Sequence, residues 1–329
     1  MENTYASVED GGFQPVNYIP ELTALAAENI SFSNSDKLGG AHNPSGTGWT
    51  VAALFATSSG LPFRFPGVGN EMDQHVRFAS GVTSLGDVLA AQGYEQEFLC
   101  GSLGNYAGRA DYYTQHGGAR VYDYDTALSN GDIPADHYVW WGYEDKYLYE
   151  IAQKELTRMA AGDAPFALTM LTVDTHHVGG YVCDLCQDEY ENQTANVVRC
   201  ADRQISAFLS WCREQDFYDD TLIVVIGDHP RMDSELVGDV ADHDRTNYNL
   251  FLNVDATLSD GAQTTNRLYT PMDLFPTILS ALGNQIEGDR LGIGTDLFSA
   301  RPTLSEELGY DTLNNELGKY SEYYVEHFS

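Results

Sequence analysis

Short runs rich in apolar residues alternate along the chain with longer segments in which apolar residues recur every three or four positions. Continuous apolar runs are typical of strands buried on both faces of a parallel sheet. The order of strands and helices therefore predicts an α/β fold, with a mostly parallel central sheet and helices on both faces. The predicted strands are Ile30–Ser33, Gln96–Cys100, Phe166–Val173, Leu222–Ile226 and Asn247–Val254.

The helices are predicted from apolar periodicity and from residues typical of helix ends. Pro20 stands in the first turn of one helix, and Gly93 and Gly283 each follow a helix as a stop signal. The other predicted helices are Trp49–Thr57, Thr83–Gly93, Trp140–Glu155, Val197–Gln215 and Pro271–Leu282.

Polar residues follow two of the strands directly. Asp228 and His229 come after Leu222–Ile226, and His176 and His177 come after Phe166–Val173. Ligands bind outside the carboxyl ends of strands in open α/β sheets, and a carboxylate with an imidazole is typical of a Zn²⁺ or Mn²⁺ site. An aspartate here can equally cap the next helix. The paired histidines are either metal ligands or acid–base groups.

Two further residues stand where an anion could bind. Thr50 lies near the start of the helix Trp49–Thr57, where free N–H groups and the positive end of the dipole favour an anion or an alkoxide. Its hydroxyl is a candidate nucleophile for a phosphate or sulfate ester, or else an N-cap, as Thr47 also could be. Arg109 lies in a Gly-rich loop after a strand. It is a candidate phosphate ligand, or else a solvated loop side chain.

Composition narrows the classes of partner. The chain has 329 residues with 17 Lys and Arg against 49 Asp and Glu, a net charge of −32. This balance disfavours nucleic acid as an electrostatic partner. With 43% hydrophobic residues the chain can bury one large core, so a single domain over residues 1–329 is expected. No apolar run is long enough to span a bilayer and no signal peptide is visible. The polar beginning of the chain indicates that the first strand lies upstream or is missing.

The five cysteines predict one structural disulfide. Cys183 and Cys186 form a C-x-x-C pair, which could indicate zinc or a redox site, but a second such pair is missing and the surrounding segment is polar. A disulfide from Cys186 to Cys200 is preferred, with Cys183 as the alternative partner. It would indicate an oxidising compartment.

Several motifs together carry a resemblance to a known family. They are GTGWT ending at Thr50, DTHH ending at His177, GDH ending at His229, MDLFPTILSALG ending at Gly283 and GTDLFS from Gly294. In this order they resemble the extracellular catalytic domain of the lipoteichoic acid synthase and phosphoglycerol transferase family, in the alkaline phosphatase and sulfatase superfamily. The resemblance covers nearly the whole chain and is nearest the branch that modifies periplasmic glucans.

The resemblance implies a function and a set of roles. Thr50 would be the nucleophile and a ligand of one divalent ion, Mn²⁺ before Mg²⁺ or Zn²⁺, with Asp228 and His229 as further ligands. Arg109 would bind phosphate, and His176 would bind substrate and serve the leaving or attacking oxygen, with His177 beside it. Phosphoglycerol would pass from a phosphatidylglycerol-type lipid through a phosphothreonine to a glycan or polyglycerophosphate acceptor. The enzyme would face the outside of a bacterial cell membrane, or the periplasm, held by an upstream membrane region.

Two departures from the family pattern bear on activity. The family's fourth metal ligand is a glutamate at the end of the first strand, which would lie upstream of Met1, with Glu2 as a possible substitute. Cys100 stands where lipoteichoic acid synthases have a second substrate histidine. Alternatives are a phosphoethanolamine transferase, a sulfatase-like ester hydrolase, or an inactive remnant that binds glycans or lipid headgroups.

Overall fold

A computed structural model describes residues 1–65, 69–74, 77–238, 240–241 and 244–328. The strands are β1 (Glu95–Cys100), β2 (Arg120–Tyr122), β3 (Phe166–Leu171), β4 (Ile223–Ile226), β5 (Asn249–Leu252), β6 (Arg290–Leu291) and β7 (Gly294–Thr295). The helices are α1 (Pro20–Glu28), α2 (Thr50–Ser59), α3 (Leu85–Ala91), α4 (Arg109–Gln115), α5 (Tyr124–Asn130), α6 (Asp145–Ala160), α7 (Gln193–Arg213), α8 (Ala256–Ser259), α9 (Pro271–Ala281), α10 (Leu304–Leu308), α11 (Tyr310–Leu317) and α12 (Glu322–Phe328). Short 3-10 turns cover Asn3–Tyr5, Met72–Gln74, Tyr106–Gly108, Tyr218–Asp220 and Glu287–Asp289.

The chain forms two compact units. The first comprises Met1–Arg64 and Leu209–Tyr320, and the second comprises Phe65–Phe208 and Ser321–Ser329. Among the residues that the structure describes, no helix is both long and apolar enough to span a bilayer.

The second unit is built on a parallel sheet in the order β2-β1-β3. Helices α3 and α6 pack against β1, and α4 and α5 pack against β2. On α6, Leu148, Ile151 and Ala152 share the face that enters the core, at the three- and four-residue spacing of an amphipathic helix. The predicted parallel sheet with surrounding helices is thereby confirmed, and it places the carboxyl ends of β1 and β3 side by side.

The first unit contains two antiparallel strand pairs, β4 with β5 and β6 with β7. Helix α9 packs against both α2 and β7. The apolar run of β4 favoured a parallel strand, but its partner β5 runs the opposite way. A parallel partner needs a crossover, usually a helix, and the described residues between β4 and β5 form no α-helix.

Two elements differ from their sequence predictions. The helix expected from Trp140 begins at Asp145, because a tight turn precedes it: Val139 and Gly142 form a bridge, and Trp140 has a φ of 55°. The strand expected over Ile30–Ser33 is reduced to one bridge from Ile30 to Phe251, at the edge of β5.

Candidate active site

Thr50 is the first residue of α2 and does not cap the helix. The N-cap position is Trp49, whose extended backbone ends the Gly-rich loop and whose side chain makes no capping hydrogen bond. The other candidate, Thr47, is fully buried and donates its hydroxyl to the Pro44 carbonyl at 2.8 Å. The Thr50 hydroxyl is therefore the one at this helix start that faces other functional side chains.

Three donor atoms meet between the start of α2 and the end of β4. The Thr50 hydroxyl donates to Asp228 Oδ2 at 3.0 Å and lies 3.4 Å from His229 Nε2. His229 Nε2 lies 3.3 Å from the same Asp228 oxygen. The structure thus brings together the three residues that the sequence analysis assigned to one metal ion.

The remaining contacts of these residues fix their orientation. His229 Nδ1 lies 2.9 Å from the Pro230 carbonyl, which makes Nδ1 the protonated nitrogen and leaves the Nε2 lone pair facing the cluster. Asn247 Nδ2 donates to the Asp228 backbone carbonyl at 2.7 Å. The backbone of the turn packs tightly against the backbone of Met1, because a Cβ on Gly227 would lie 1.8 Å from the Met1 carbonyl oxygen.

Asp228 is ionised in this setting. Burial raises the pKa of its carboxyl group, but the positive charges of the His229 imidazole and the Met1 amino group, with hydrogen bonds from the His229 N–H and the Thr50 hydroxyl, outweigh burial, and the pKa lies below its usual range. The Asp228 side chain keeps 33% of its surface accessible, against 10% for His229. An accessible anion beside a lone-pair nitrogen is a suitable environment for a cation.

The donor set fits a single divalent ion. Oxygen and nitrogen ligands about 2.1 Å from one ion lie roughly 3.0 to 3.4 Å from each other, and the three separations observed here fall in that range. Among the described residues, no further carboxylate or imidazole completes a cluster of three around Asp228 and His229. Thr50 would accordingly be the third protein ligand.

Glu2, the substitute ligand considered from the sequence, is engaged elsewhere. Its carboxylate accepts from Arg245 Nε at 2.9 Å, from Arg245 Nη2 at 2.8 Å and from the Arg231 N–H at 2.8 Å. The residue is 1% exposed. Because both oxygens are held by these donors, Glu2 is a structural anion that pairs with Arg245, and this disfavours the possibility that it substitutes for the missing metal ligand.

In the second unit, Arg109 is buried at the start of α4. Its Nη2 donates to Ser102 Oγ at 3.0 Å and to the Leu103 carbonyl at 2.9 Å, and its Nε donates to the Tyr106 carbonyl at 3.0 Å. No described carboxylate pairs with it, and burial lowers the pKa of the guanidinium. A buried arginine held by neutral acceptors retains its charge for an anionic ligand, which disfavours the alternative of a solvated loop residue.

Aromatic side chains link Arg109 to the paired histidines. The Arg109 guanidinium lies 5.3 Å from the centre of the Tyr106 ring, and Tyr106 lies 5.8 Å from Trp141. Trp141 lies 5.0 Å from His176, which stacks on His177 at 4.3 Å. Tyr106 and Trp141 were not among the candidate residues predicted from the sequence. The aromatic run Tyr138–Trp141 was the available signal, but it was interpreted as the start of a helix.

A pair of buried carboxylates lies beneath the histidines. Asp145 accepts from the Val173 N–H at 2.7 Å and from the Asp174 N–H at 3.1 Å, which fixes the end of β3. Asp174 is 2% exposed, and neither of its carboxyl oxygens has a partner among the described residues. Burial, followed by the neighbouring Asp145, raises the pKa of Asp174; burial also raises that of Asp145.

The cysteines do not form the expected disulfide. All five are free thiols, and Cys183 Sγ lies 3.7 Å from Cys186 Sγ and 3.9 Å from Cys200 Sγ. The predicted bond from Cys186 to Cys200, with Cys183 as an alternative partner, is therefore not made in this structure. Cys183 stands between the other two, so three thiols converge instead of two.

Comparison with known proteins identifies the class. The fold is that of the alkaline phosphatase superfamily: a lipoteichoic acid synthase, LtaP from Listeria monocytogenes, is 14% identical with a TM-score of 0.72, over 99% of this chain and 90% of that one. A superfamily protein from Vibrio parahaemolyticus is 20% identical with a TM-score of 0.68, over 93% of this chain and 69% of that one. Within the superfamily, the chain belongs to the sulfatase family, whose sequence pattern matches residues 11–284.

Curated relatives carry a more specific name. Phosphoglycerol transferase I of Xanthomonas axonopodis pv. citri is 30% identical over 271 residues, 80% of this chain and 37% of the relative. The protein of the same name from Escherichia coli strain 55989 is 30% identical over 291 residues, 86% of this chain and 36% of the relative. The resemblance drawn from the motifs is confirmed. The chain spans about two fifths of the length of these relatives.

Proposed function

We propose that this chain is the catalytic part of a metal-dependent phosphoglycerol transferase. Phosphoglycerol would move from a phosphatidylglycerol-type lipid to a glycan or glycerophosphate acceptor through an ester on Thr50. The observation that carries the proposal is the Thr50 hydroxyl, which lies at a helix start, makes no cap, and hydrogen-bonds Asp228 at 3.0 Å. The names of the curated relatives support the transferred group.

Thr50, Asp228 and His229 would hold the divalent ion. Superfamily members generally use such an ion, and we propose Mn²⁺, with Mg²⁺ or Zn²⁺ as alternatives. When bound, it would lower the pKa of the Thr50 hydroxyl and neutralise charge on the phosphoryl oxygens. Asp228 Oδ2 orients the hydroxyl by accepting its hydrogen bond, and the Pro230 carbonyl keeps the His229 lone pair on Nε2.

The covalent step exchanges one ester for another. Thr50 Oγ1 bonds to phosphorus as the bond from phosphorus to the diacylglycerol oxygen breaks, and that oxygen leaves with a proton. An acceptor hydroxyl then attacks the Thr50 ester, loses its proton and frees Thr50. The helix start of α2 would stabilise charge on the phosphoryl group through its free N–H groups.

Arg109 and His176 are proposed as substrate-binding residues on the basis of their own surroundings. Arg109 has a guanidinium positioned by three neutral oxygens with no carboxylate partner, so it would bind a phosphate oxygen. His176 Nδ1 lies 2.6 Å from the His177 carbonyl, which fixes the orientation of its ring, and the imidazole would accept or donate the proton of a substrate hydroxyl. His177 supports the His176 ring by stacking.

The proposed setting follows from the substrates. A lipid donor requires a membrane surface, and we propose that the chain works on the outer face of a bacterial membrane or in the periplasm. A net charge of −32 agrees with neither nucleic acid nor an anionic bilayer as a direct electrostatic partner.

The test compares three variants in a Mn²⁺-dependent assay with a phosphatidylglycerol analogue. Thr50→Ala is expected to lower turnover by at least about 10⁴-fold, because the attacking oxygen is gone. It should cost only about 1 kcal/mol of stability as a helix-start change. Thr50→Ser should retain measurable turnover, and Thr57→Val, two turns along the same helix, should leave it within about twofold of wild type.

The covalent intermediate is checked by mass spectrometry of the quenched reaction. A phosphoglycerol adduct is expected on the peptide that contains Thr50. Undiminished turnover by Thr50→Ala, or no turnover by the wild-type chain with Mn²⁺ bound, would contradict the proposal. Release of phosphoglycerol to water alone in the presence of glycan acceptors would support the ester hydrolase instead.

A further inference from the structure

Three cysteine thiols converge on the segment that follows the paired histidines. Cys183 and Cys186 lie on this segment and Cys200 lies in α7, and their sulfur atoms all lie within 4.8 Å of one another. Cys183 is 5% exposed and Cys200 is 2% exposed, whereas Cys186 is half-buried. None of the three cysteines is among the proposed catalytic residues.

The spacing of the sulfurs matches that of ligands around one metal ion. A disulfide would require a sulfur–sulfur distance of about 2.05 Å. Thiolates bound tetrahedrally to Zn²⁺ at about 2.3 Å are about 3.8 Å apart. The separations from Cys183 Sγ are 3.7 Å to Cys186 and 3.9 Å to Cys200, so both pairs agree with the metal-bound spacing.

Hydrogen bonds shape the turn and reach the sulfurs. The Cys186 N–H donates to the Cys183 carbonyl at 3.1 Å, which closes the tight C-x-x-C turn. Gln204 Nε2 donates to Cys200 Sγ at 3.4 Å and approaches Cys183 Sγ at 4.0 Å. Donors aimed at sulfur stabilise negative charge there, and thiolate is the form that binds metal.

We propose that Cys183, Cys186 and Cys200 bind a Zn²⁺ ion as a three-thiolate site. A C-x-x-C pair supplies two ligands and the helix α7 supplies the third, so the ion cross-links the segment after His177 to α7. The fourth position of a tetrahedral ion would hold water or a small external ligand. The half-buried Cys186 marks the side on which that position is reached.

The test uses Co²⁺ as a spectroscopic probe and Zn²⁺ as the competing ion, with the full, reduced chain. Bound Co²⁺ is expected to give thiolate-to-cobalt charge-transfer absorption that saturates at one ion per chain and disappears when Zn²⁺ is added. Cys183→Ser and Cys200→Ser should lose this absorption, and Cys212→Ser, a buried cysteine of α7 outside the cluster, should retain it. Asp228→Asn should also retain it, which separates this site from the proposed catalytic one.

A second measurement uses the wild-type chain, so that the test does not depend on variants that fail to fold. A chelator added to the wild-type, zinc-loaded chain should make three additional thiols reactive, with release of one Zn²⁺. Absence of charge-transfer absorption in the folded wild-type chain would overturn the proposal. A disulfide joining Cys183 to Cys186 or Cys200 in the chain purified without reductant and without bound zinc would overturn it as well.

Discussion

Asp228 and Asp174 both follow an apolar strand at its carboxyl end, yet the structure gives them opposite tendencies to ionise. The pKa of Asp228 is lowered, despite burial, by the charges of the His229 imidazole and the Met1 amino group and by hydrogen bonds from the His229 N–H and the Thr50 hydroxyl. The pKa of Asp174 is raised by burial and by Asp145, and its oxygens have no described partner. The charge of a strand-end aspartate is thus decided by what other elements bring to it.

The difference in ionisation corresponds to two different roles. Asp228 stays an anion with part of its surface open, as a metal ligand must be. The Asp145 and Asp174 pair retains a proton near neutral pH and holds the turn that carries His176, since Asp145 binds the N–H groups of Val173 and Asp174. One site provides charge for chemistry, and the other provides fixed hydrogen-bond geometry.

The strongest way to break this comparison is to make both aspartates neutral. Asp228→Asn should reduce metal affinity by more than about 100-fold and abolish detectable transfer, because it removes an anionic ligand. Asp174→Asn imitates the protonated side chain and should retain activity to within about tenfold of wild type. Mn²⁺ binding by calorimetry and turnover of the phosphatidylglycerol analogue check the pair. Equal losses in the two variants would contradict the assignment of charge.

Glu2 adds a third buried carboxylate, one held by a permanent cation. Arg245→Met would leave the buried Glu2 carboxylate with the Arg231 N–H as its one remaining donor among the described residues, and breaking such a pair costs about 3–5 kcal/mol. Urea unfolding measures the loss. The double variant Glu2→Gln with Arg245→Met should recover part of it, because no uncompensated charge remains. A single variant as stable as wild type would show that the pair is dispensable.

The smallest expected effect is on the pH dependence of stability. A carboxyl group whose folded pKa is raised opposes folding as pH rises from its unfolded value, about 4, through the raised value. The wild-type chain should lose on the order of 1 kcal/mol between pH 6 and pH 9 through Asp145 and Asp174. Asp174→Asn should flatten this slope. The lowered pKa of Asp228 acts the other way, and its contribution is lost only as pH falls below about 4.

The sequence predicted the elements better than it predicted their partners. Strands β1, β3, β4 and β5 were located from apolar runs within a few residues, because burial imposes such runs wherever the strand lies. The antiparallel pairing of β4 with β5 was missed, since direction depends on the connection and not on the strand itself.

The same distinction applies to the candidate site. The cluster of Thr50, Asp228 and His229 was reachable because each residue marks the end of a recognisable element, and the motif order supported it. The Glu2 pair with Arg245 was not reachable, as nothing in either neighbourhood specifies a contact across the chain. Cys200 was predicted to lie beside the C-x-x-C pair, but as a disulfide partner; the convergence of three free thiols was missed, because sequence spacing does not show how many sulfurs meet in space.

The contact between Thr50 and Asp228 joins positions 178 residues apart, and the Asn3 N–H donates to the Thr246 carbonyl across 243 positions. The N-terminal segment and α2 leave the ribosome long before the residues they contact are synthesised. The first unit therefore cannot complete its fold until β5 has emerged. The parallel sheet of the second unit needs only residues up to β3. We expect that sheet to fold first during synthesis. The apolar face of α2 stays exposed until α9 is synthesised, so chaperone binding or rapid completion of the chain would be needed to prevent aggregation.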